Sequence, residues 1–197
     1  MANRPVWFLD IDGVINAVSK IENSHYSRFN EWHEIEVNGY KIRYATDVID
    51  FINRMSERVE IRFLTTWKDK AVEMLAPAVG LNVFPFDDSI GTWGPNGSFG
   101  GGHHLPENRW WKLNVIMNHI EKSEDHFIWT DDDMTTHVRN FARRMADFEG
   151  LETCMLTPHM PLGLEPWHLE RIEKFVTNLE KYYPATPETN DSKIITT

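Results

Sequence analysis

The residues best suited to chemistry are acids at the ends of apolar runs. Val6-Trp7-Phe8-Leu9 is a short continuous apolar run that ends in Asp10-Ile11-Asp12-Gly13. Such a run suits a strand buried on both faces, as in a parallel sheet. Its C-terminal end is where open α/β sheets place their ligands. Gly13 lets the chain turn sharply out of the strand. Two carboxylates so close repel each other unless a cation or hydrogen-bond donors sit with them. Oxygen-only ligation points to Mg²⁺. A second acidic group follows a second apolar run, where His126-Phe127-Ile128-Trp129-Thr130 leads directly into Asp131-Asp132-Asp133. Three consecutive acids there are costly without a cation. Capping of the following helix accounts for one of them, and Asp133 is assigned to that task.

Two further side chains invite attention. Residues 59–64 alternate and close in Thr65-Thr66-Trp67, which reads as a strand with a hydroxyl at its end. Thr65 directly follows the apolar positions and is preferred to Thr66, although a Thr there also serves as an ordinary helix N-cap. Lys112 falls in the first turn of a helix expected over residues 108–121. A cation in that turn opposes the helix dipole, which points to a role beyond helix propensity; a solvated surface lysine is the plain alternative. His103-His104 lies in a Gly- and Pro-rich stretch over 85–107. Adjacent histidines converge poorly on one ion, and a plain solvated loop is the favoured reading of that stretch.

The elements that must position these groups follow from periodicity. Residues 34–43, Glu-Ile-Glu-Val-Asn-Gly-Tyr-Lys-Ile-Arg, read as a β-hairpin around an Asn38-Gly39 type I′ turn. A two-residue loop pairs Val37 with Tyr40, Glu36 with Lys41, Ile35 with Ile42 and Glu34 with Arg43. Apolar pairs then fall on one face and opposite charges on the other. Thr46 or Asp47 can cap a helix running to about Glu57, with Val48, Ile49, Phe51, Ile52 and Met55 inward. A helix over 69–79 ends at Gly80, followed by a short strand over 81–84. A strand over 152–156 and a helix opening at Glu165-Pro166 and running to about Tyr182 complete the pattern. Arg139, Arg143 and Arg144 make the helix over 133–147 basic, which reads as a solvated face rather than a polyanion patch. Strands alternating with helices predict an α/β fold with a mainly parallel central sheet. Residues 1–183 are expected to form one domain, and the polar, Pro-containing stretch 184–197 a disordered tail.

Phe8-Leu9-Asp10-Ile11-Asp12-Gly13-Val14-Ile15-Asn16 resembles the first motif of the haloacid dehalogenase (HAD) superfamily. Thr65, Lys112 and Trp129-Thr130-Asp131-Asp132 resemble its second, third and fourth motifs, and the hairpin falls where that family carries a flap. Leu64-Thr65-Thr66-Trp67, Trp111-Lys112-Leu113 and Gly163-Leu164-Glu165-Pro166 are similar to a small actinobacterial and phage group related to the HAD domain of RNA repair proteins. The resemblance implies a Rossmann-like α/β/α sandwich and a Mg²⁺-dependent phosphatase. Asp10 would be the nucleophile and Asp12 the acid and base, while Thr65 and Lys112 would hold the phosphoryl group. Asp10, the Asp12 carbonyl and Asp131 would be the metal ligands, with Asp132 binding through water or orienting Lys112. Two other readings fit the same residues: a catalytically silent binding or regulatory module, and phosphotransfer to an acceptor other than water.

The chain has 197 residues, of which 41% are hydrophobic, enough for one core and too few for two full domains. Its single cysteine, Cys154, excludes an internal disulfide, and no run approaches a spanning helix. The expectation is a soluble cytoplasmic protein with no membrane association and no obligate protein partner evident. A net charge of −10 disfavours loose electrostatic binding to nucleic acid but leaves room for a local site. The gaps between motifs hold no independent cap domain, so the site is expected to be open. It could take a nucleotide, another phosphorylated small molecule or a nucleic acid 3′-phosphate.

Overall fold

The computed structural model describes residues 4–18, 29–87, 110–123 and 125–183. The His103-His104 pair, most of the 85–107 stretch and the 184–197 tail lie outside the described residues. Four short strands form a parallel sheet: β1 (Val6–Leu9), β4 (Glu60–Phe63), β5 (Phe127–Thr130) and β6 (Thr153–Leu156), in the order β4-β1-β5-β6. A second, two-stranded sheet is the hairpin β2 (Trp32–Val37) and β3 (Tyr40–Ala45). The helices are α1 (Thr46–Met55), α2 (Ala76–Val79), α3 (Trp111–Lys122), α4 (Thr136–Phe148) and α5 (Pro166–Tyr182).

Period-two alternation along the buried strands sorts side chains into two apolar layers. Trp7, Leu9, Ile61, Phe63, Ile128, Cys154 and Leu156 pack with residues of α1, α2 and α5. Val6, Phe8, Phe127, Trp129 and Met155 pack instead with α3 and α4. The result is a Rossmann-like three-layer α/β/α sandwich, with no large cap among the described residues. The hairpin joins the first layer through Val37, Ile42 and Ala45. No helix among the described residues is long and apolar enough to cross a membrane.

The hairpin register is the one the sequence predicts, from Val37 opposite Tyr40 to Glu34 opposite Arg43. Asn38 and Gly39 both have positive φ, as a type I′ turn requires. Its charges pair differently. Lys41 reaches diagonally to Glu34 at 2.9 Å rather than to Glu36, and the Arg43 guanidinium lies over the Trp32 ring at 5.0 Å. Diagonal neighbours are within reach of long side chains on a twisted ribbon.

Several boundaries differ from expectation. Helix α1 buries the five predicted residues, but its N-cap is Ala45; the Thr46 hydroxyl bonds the His33 ring instead, at 2.8 Å. Residues 81–84 form no strand. Leu81 and Phe84 are buried while Asn82 and Val83 are exposed, a pattern without period two. The sheet edge is met two residues later, where Phe63 N–H donates to the Pro85 carbonyl and Asp87 N–H to the Phe63 carbonyl. The helix before Gly80 contains a π-helical turn, Ala71–Leu75, ahead of α2. Pro77 has no N–H to give to the carbonyl four residues back, and its ring crowds that carbonyl, which favours the wider turn. Helix α5 begins with Pro166 and a reciprocal capping box between Glu165 and His168.

Candidate functional site

Strand β1 delivers Asp10 directly at its C-terminal end, and the chain folds back at once. The N–H groups of Val14, Ile15 and Asn16 all point at the Ile11 carbonyl, at 3.2, 2.9 and 2.9 Å. That tight turn needs Gly13 at φ +69°. Neighbouring strand β4 ends beside it and supplies Thr65, which is buried; Thr66 is exposed, which separates the two threonines. On the other side β5 ends in Asp131, fully buried, and in Asp132, half-buried. Helix α3 aims its second residue, Lys112, into the same place.

Lys112 is only 4% exposed, and its Nζ lies 2.5 Å from Asp10 Oδ2 and 2.8 Å from Asp131 Oδ2. Burial pulls the ammonium down, and the charges of Asp10 and Asp131 more than offset that, so Lys112 holds its proton. Its orientation therefore comes from Asp10 and Asp131, not from Asp132. Asp10 Oδ1 accepts from the Ile11 N–H at 2.8 Å. Burial raises the Asp10 carboxyl above the usual range, against the opposing effect of Lys112 and, more weakly, of the backbone N–H and the Thr65 side chain. Burial and then the Asp10 charge push Asp131 up to about 7. Burial and then the Asp133 charge push Asp132 up to about 6.

One carboxylate oxygen from each of Asp10, Asp131 and Asp132 lies within 4.8 Å of the others. These acids could hold a metal ion. One ammonium, 2.5 Å from Asp10 Oδ2 and 2.8 Å from Asp131 Oδ2, does not balance three carboxylates. Oxygen donors of this kind suit a hard divalent cation. Asp133 stands apart: it is exposed, and its N–H donates to Asp131 Oδ1 at 3.0 Å. It is not the cap of α4, a role taken by Thr135, whose hydroxyl accepts from Val138 N–H at 3.2 Å. An Asx turn on Asp131 thus uses the residue that acidity alone assigned to the helix.

The Asp12 carboxylate lies outside this triad. Its Oδ1 accepts from Asn16 Nδ2 at 2.8 Å and its Oδ2 from the Trp67 indole N–H at 2.9 Å. Sequence reasoning gave no role to Asn16 or Trp67. Both stand close along the chain to predicted site residues, Asn16 four after Asp12 and Trp67 two after Thr65. Arg139 is drawn to Thr157 at 3.5 Å, at the end of β6 rather than at the acid cluster.

Fold and cluster together define an α/β protein whose buried acids and one lysine meet at the C-terminal ends of adjacent parallel strands. Compared with protein-family models, curated proteins and solved structures, the chain matches none.

Proposed function

We propose that the protein is a Mg²⁺-dependent phosphomonoester hydrolase of the HAD type, working through an aspartyl-phosphate on Asp10. The observation that supports this reading most is the buried Asp10–Lys112 pair, 2.5 Å apart, beside Asp131 and Asp132. An ammonium that close favours the ionised form of a carboxylate and steadies it, against a burial that favours its protonation. The order Asp10, Thr65, Lys112, Asp131 along the chain agrees with the motif order that the sequence resembles.

In this reading Asp10 attacks phosphorus while the bond to the leaving oxygen breaks, and Asp12 gives that oxygen a proton. Water then attacks the acyl-phosphate phosphorus, Asp12 takes its proton, and the bond to Asp10 breaks to release inorganic phosphate. Thr65 and Lys112 donate to the phosphoryl oxygens. Asp10, the Asp12 carbonyl and Asp131 would hold Mg²⁺, with Asp132 behind them; the ion supplies positive charge that lets a carboxylate approach a phosphate. With no large cap among the described residues, the substrates are nucleotides, other small phosphomonoesters and nucleic acid 3′-phosphates.

The test is phosphate release, with Mg²⁺ or with EDTA, from an aryl phosphate, nucleoside 3′- and 5′-monophosphates and phosphorylated oligonucleotides. Release that needs Mg²⁺ and disappears in Asp10→Asn is the expected result. Full activity in Asp10→Asn would remove Asp10 as nucleophile. No release from any substrate by the wild type would favour the silent binding module.

A further inference from the structure

Both oxygens of Asp12 are held by side chains that also touch the hairpin. Asn16 forms the first link, giving its Nδ2–H to Asp12 Oδ1 at 2.8 Å while its Oδ1 accepts from Arg43 N–H of β3 at 2.9 Å. The backbone repeats the tie, since Ala17 N–H donates to the Arg43 carbonyl at 2.8 Å. Trp67 forms the second link. Its indole N–H reaches Asp12 Oδ2 at 2.9 Å, and its ring meets the Tyr40 ring edge-on, with centroids 5.5 Å apart. Tyr40 is the first residue of β3 after the turn and is 62% exposed.

The turn that carries Trp67 is itself unusual. Lys68 adopts φ +52°, left-handed backbone at a residue that is not glycine. Such a conformation persists only where its surroundings over-determine it. Here Trp67 N–H approaches the Thr65 hydroxyl at 3.4 Å and Lys68 N–H donates to the Thr65 carbonyl at 3.3 Å, so Thr65 and Trp67 are set by one turn.

We propose that strand β3 positions the Asp12 carboxylate through two arms, Asn16 on Oδ1 and Trp67 on Oδ2, with Tyr40 as the contact through which the hairpin sets Trp67. The proposal rests on the phosphatase reading, in which Asp12 must aim a proton at the leaving oxygen. Trp67 and Asn16 are positioning residues in this account; Tyr40 acts one step further out. A hairpin displaced from the site would loosen both arms together, because both end on the same strand.

The decisive variants are Trp67→Phe, which keeps a ring and loses the N–H, and Tyr40→Ala, with Tyr40→Phe as the rescue. An alkyl phosphate needs its leaving oxygen protonated, whereas a nitrophenyl phosphate does not. The expected result for Trp67→Phe is a fall in kcat/KM of about ten-fold or more on the alkyl substrate, part of what a general acid contributes. On nitrophenyl phosphate kcat/KM, which covers only the steps up to release of the leaving group, should change little, while kcat falls on both substrates because Asp12 also activates the water that hydrolyses the intermediate. Tyr40→Ala should show the same split in kcat/KM more weakly, and Tyr40→Phe should restore wild-type values. Equal losses of kcat/KM on both substrates would overturn the proposal. A second measurement needs no turnover: the ¹H–¹⁵N indole resonance of Trp67, identified by its disappearance in Trp67→Phe. It should shift in Asp12→Ala and in Tyr40→Ala. An unmoved resonance in either variant overturns the proposal even if the wild type releases no phosphate, and a wild type without activity but with both shifts removes only the phosphatase reading.

Discussion

The Asp132 carboxylate occupies the space that a side chain on Gly13 would fill: a Cβ there would lie 2.2 Å from Asp132 Cγ and 2.3 Å from its Oδ2. Gly13 also sits at φ +69°, where any other residue is strained. Gly13→Ala should therefore cost about 1–2 kcal/mol from backbone alone, which is a melting point lower by about 2–8 °C in a chain of this size. It should also displace Asp132 and blunt stabilisation by Mg²⁺. Thermal melts with and without Mg²⁺ check both; an Ala variant with the full Mg²⁺ response would show that Asp132 does not contribute to cation binding.

Removing the lysine charge should leave Asp10, Asp131 and Asp132 uncompensated. Lys112→Met preserves the apolar stem and is expected to lose about 3–5 kcal/mol at pH 8, the usual effect of breaking a buried pair. The loss should shrink at pH 5, where the acids with raised values take up protons, and also on addition of Mg²⁺. Urea denaturation at the two pH values, with and without Mg²⁺, measures this. A loss that is the same under all four conditions would place the role of Lys112 in packing.

Cation binding should strengthen with pH. Without a cation, Asp131 near 7 and Asp132 near 6 lie above the ordinary 3.8. The folded chain therefore binds more protons than the unfolded chain between about pH 4 and 7, and its stability falls as pH rises through that window. A divalent cation must displace those protons. The Mg²⁺-induced rise in melting temperature should be small at pH 5 and large at pH 8, and Asp131→Asn should abolish most of it. A rise independent of pH would contradict the assignment.

Acid should weaken the start of α5. His168 is 1% exposed, and its Nδ1 accepts from Glu165 N–H at 2.9 Å. Burial, and next the Arg171 charge, push its value down to about 4. The unfolded chain thus binds more protons between about pH 4 and 6.5, so this contribution is complete above pH 6.5 and lost as pH falls towards 4. Protonating Nδ1 would also set a donor against the Glu165 N–H. The loss should be on the order of 2 kcal/mol. Denaturation midpoints at pH 7 and 4.5 should converge in His168→Gln relative to wild type; equal slopes in the two proteins would assign the acid sensitivity elsewhere.

Much of the architecture was legible because it is periodic. The hairpin register followed from Asn38-Gly39 and strict alternation, and β1 and β5 from short apolar runs ending in acids. The inward face of α1 followed from helical spacing. What escaped depends on local competition. Thr46 is a good cap by type, but His33 claims its hydroxyl. Asp133 is acidic and near a helix start, but Thr135 sits at the turn where the helix begins. The helix over 69–79 ends at Gly80 as its sequence suggests, but the chain ahead of Pro77 widens into a π turn that no spacing announces. The convergence of Asp10, Thr65 and Asp131 could be expected from strand ends, and the place of Lys112 from its unfavourable position in the first turn of a helix and from the motif it resembles, whereas the grip of Trp67 and Asn16 on Asp12 depends on rotamers and on where the hairpin folds back, which no spacing encodes.

The sheet order β4-β1-β5-β6 has a consequence for biosynthesis. A ribosome makes Asp10 more than a hundred residues before Lys112, and Asp131 later still. Strand β1 can meet β4 as soon as residues 60–63 emerge, but its other neighbour, β5, is then unmade. The nascent sheet therefore exposes one unpaired edge of β1, with Asp10 at its end, until residues 127–130 emerge. Pairing with β5 covers that edge of β1 and brings Asp131 beside Asp10 and Lys112, while the far edge of β5 stays open until β6 at residues 153–156 pairs with it, so the site is assembled before the sheet is complete.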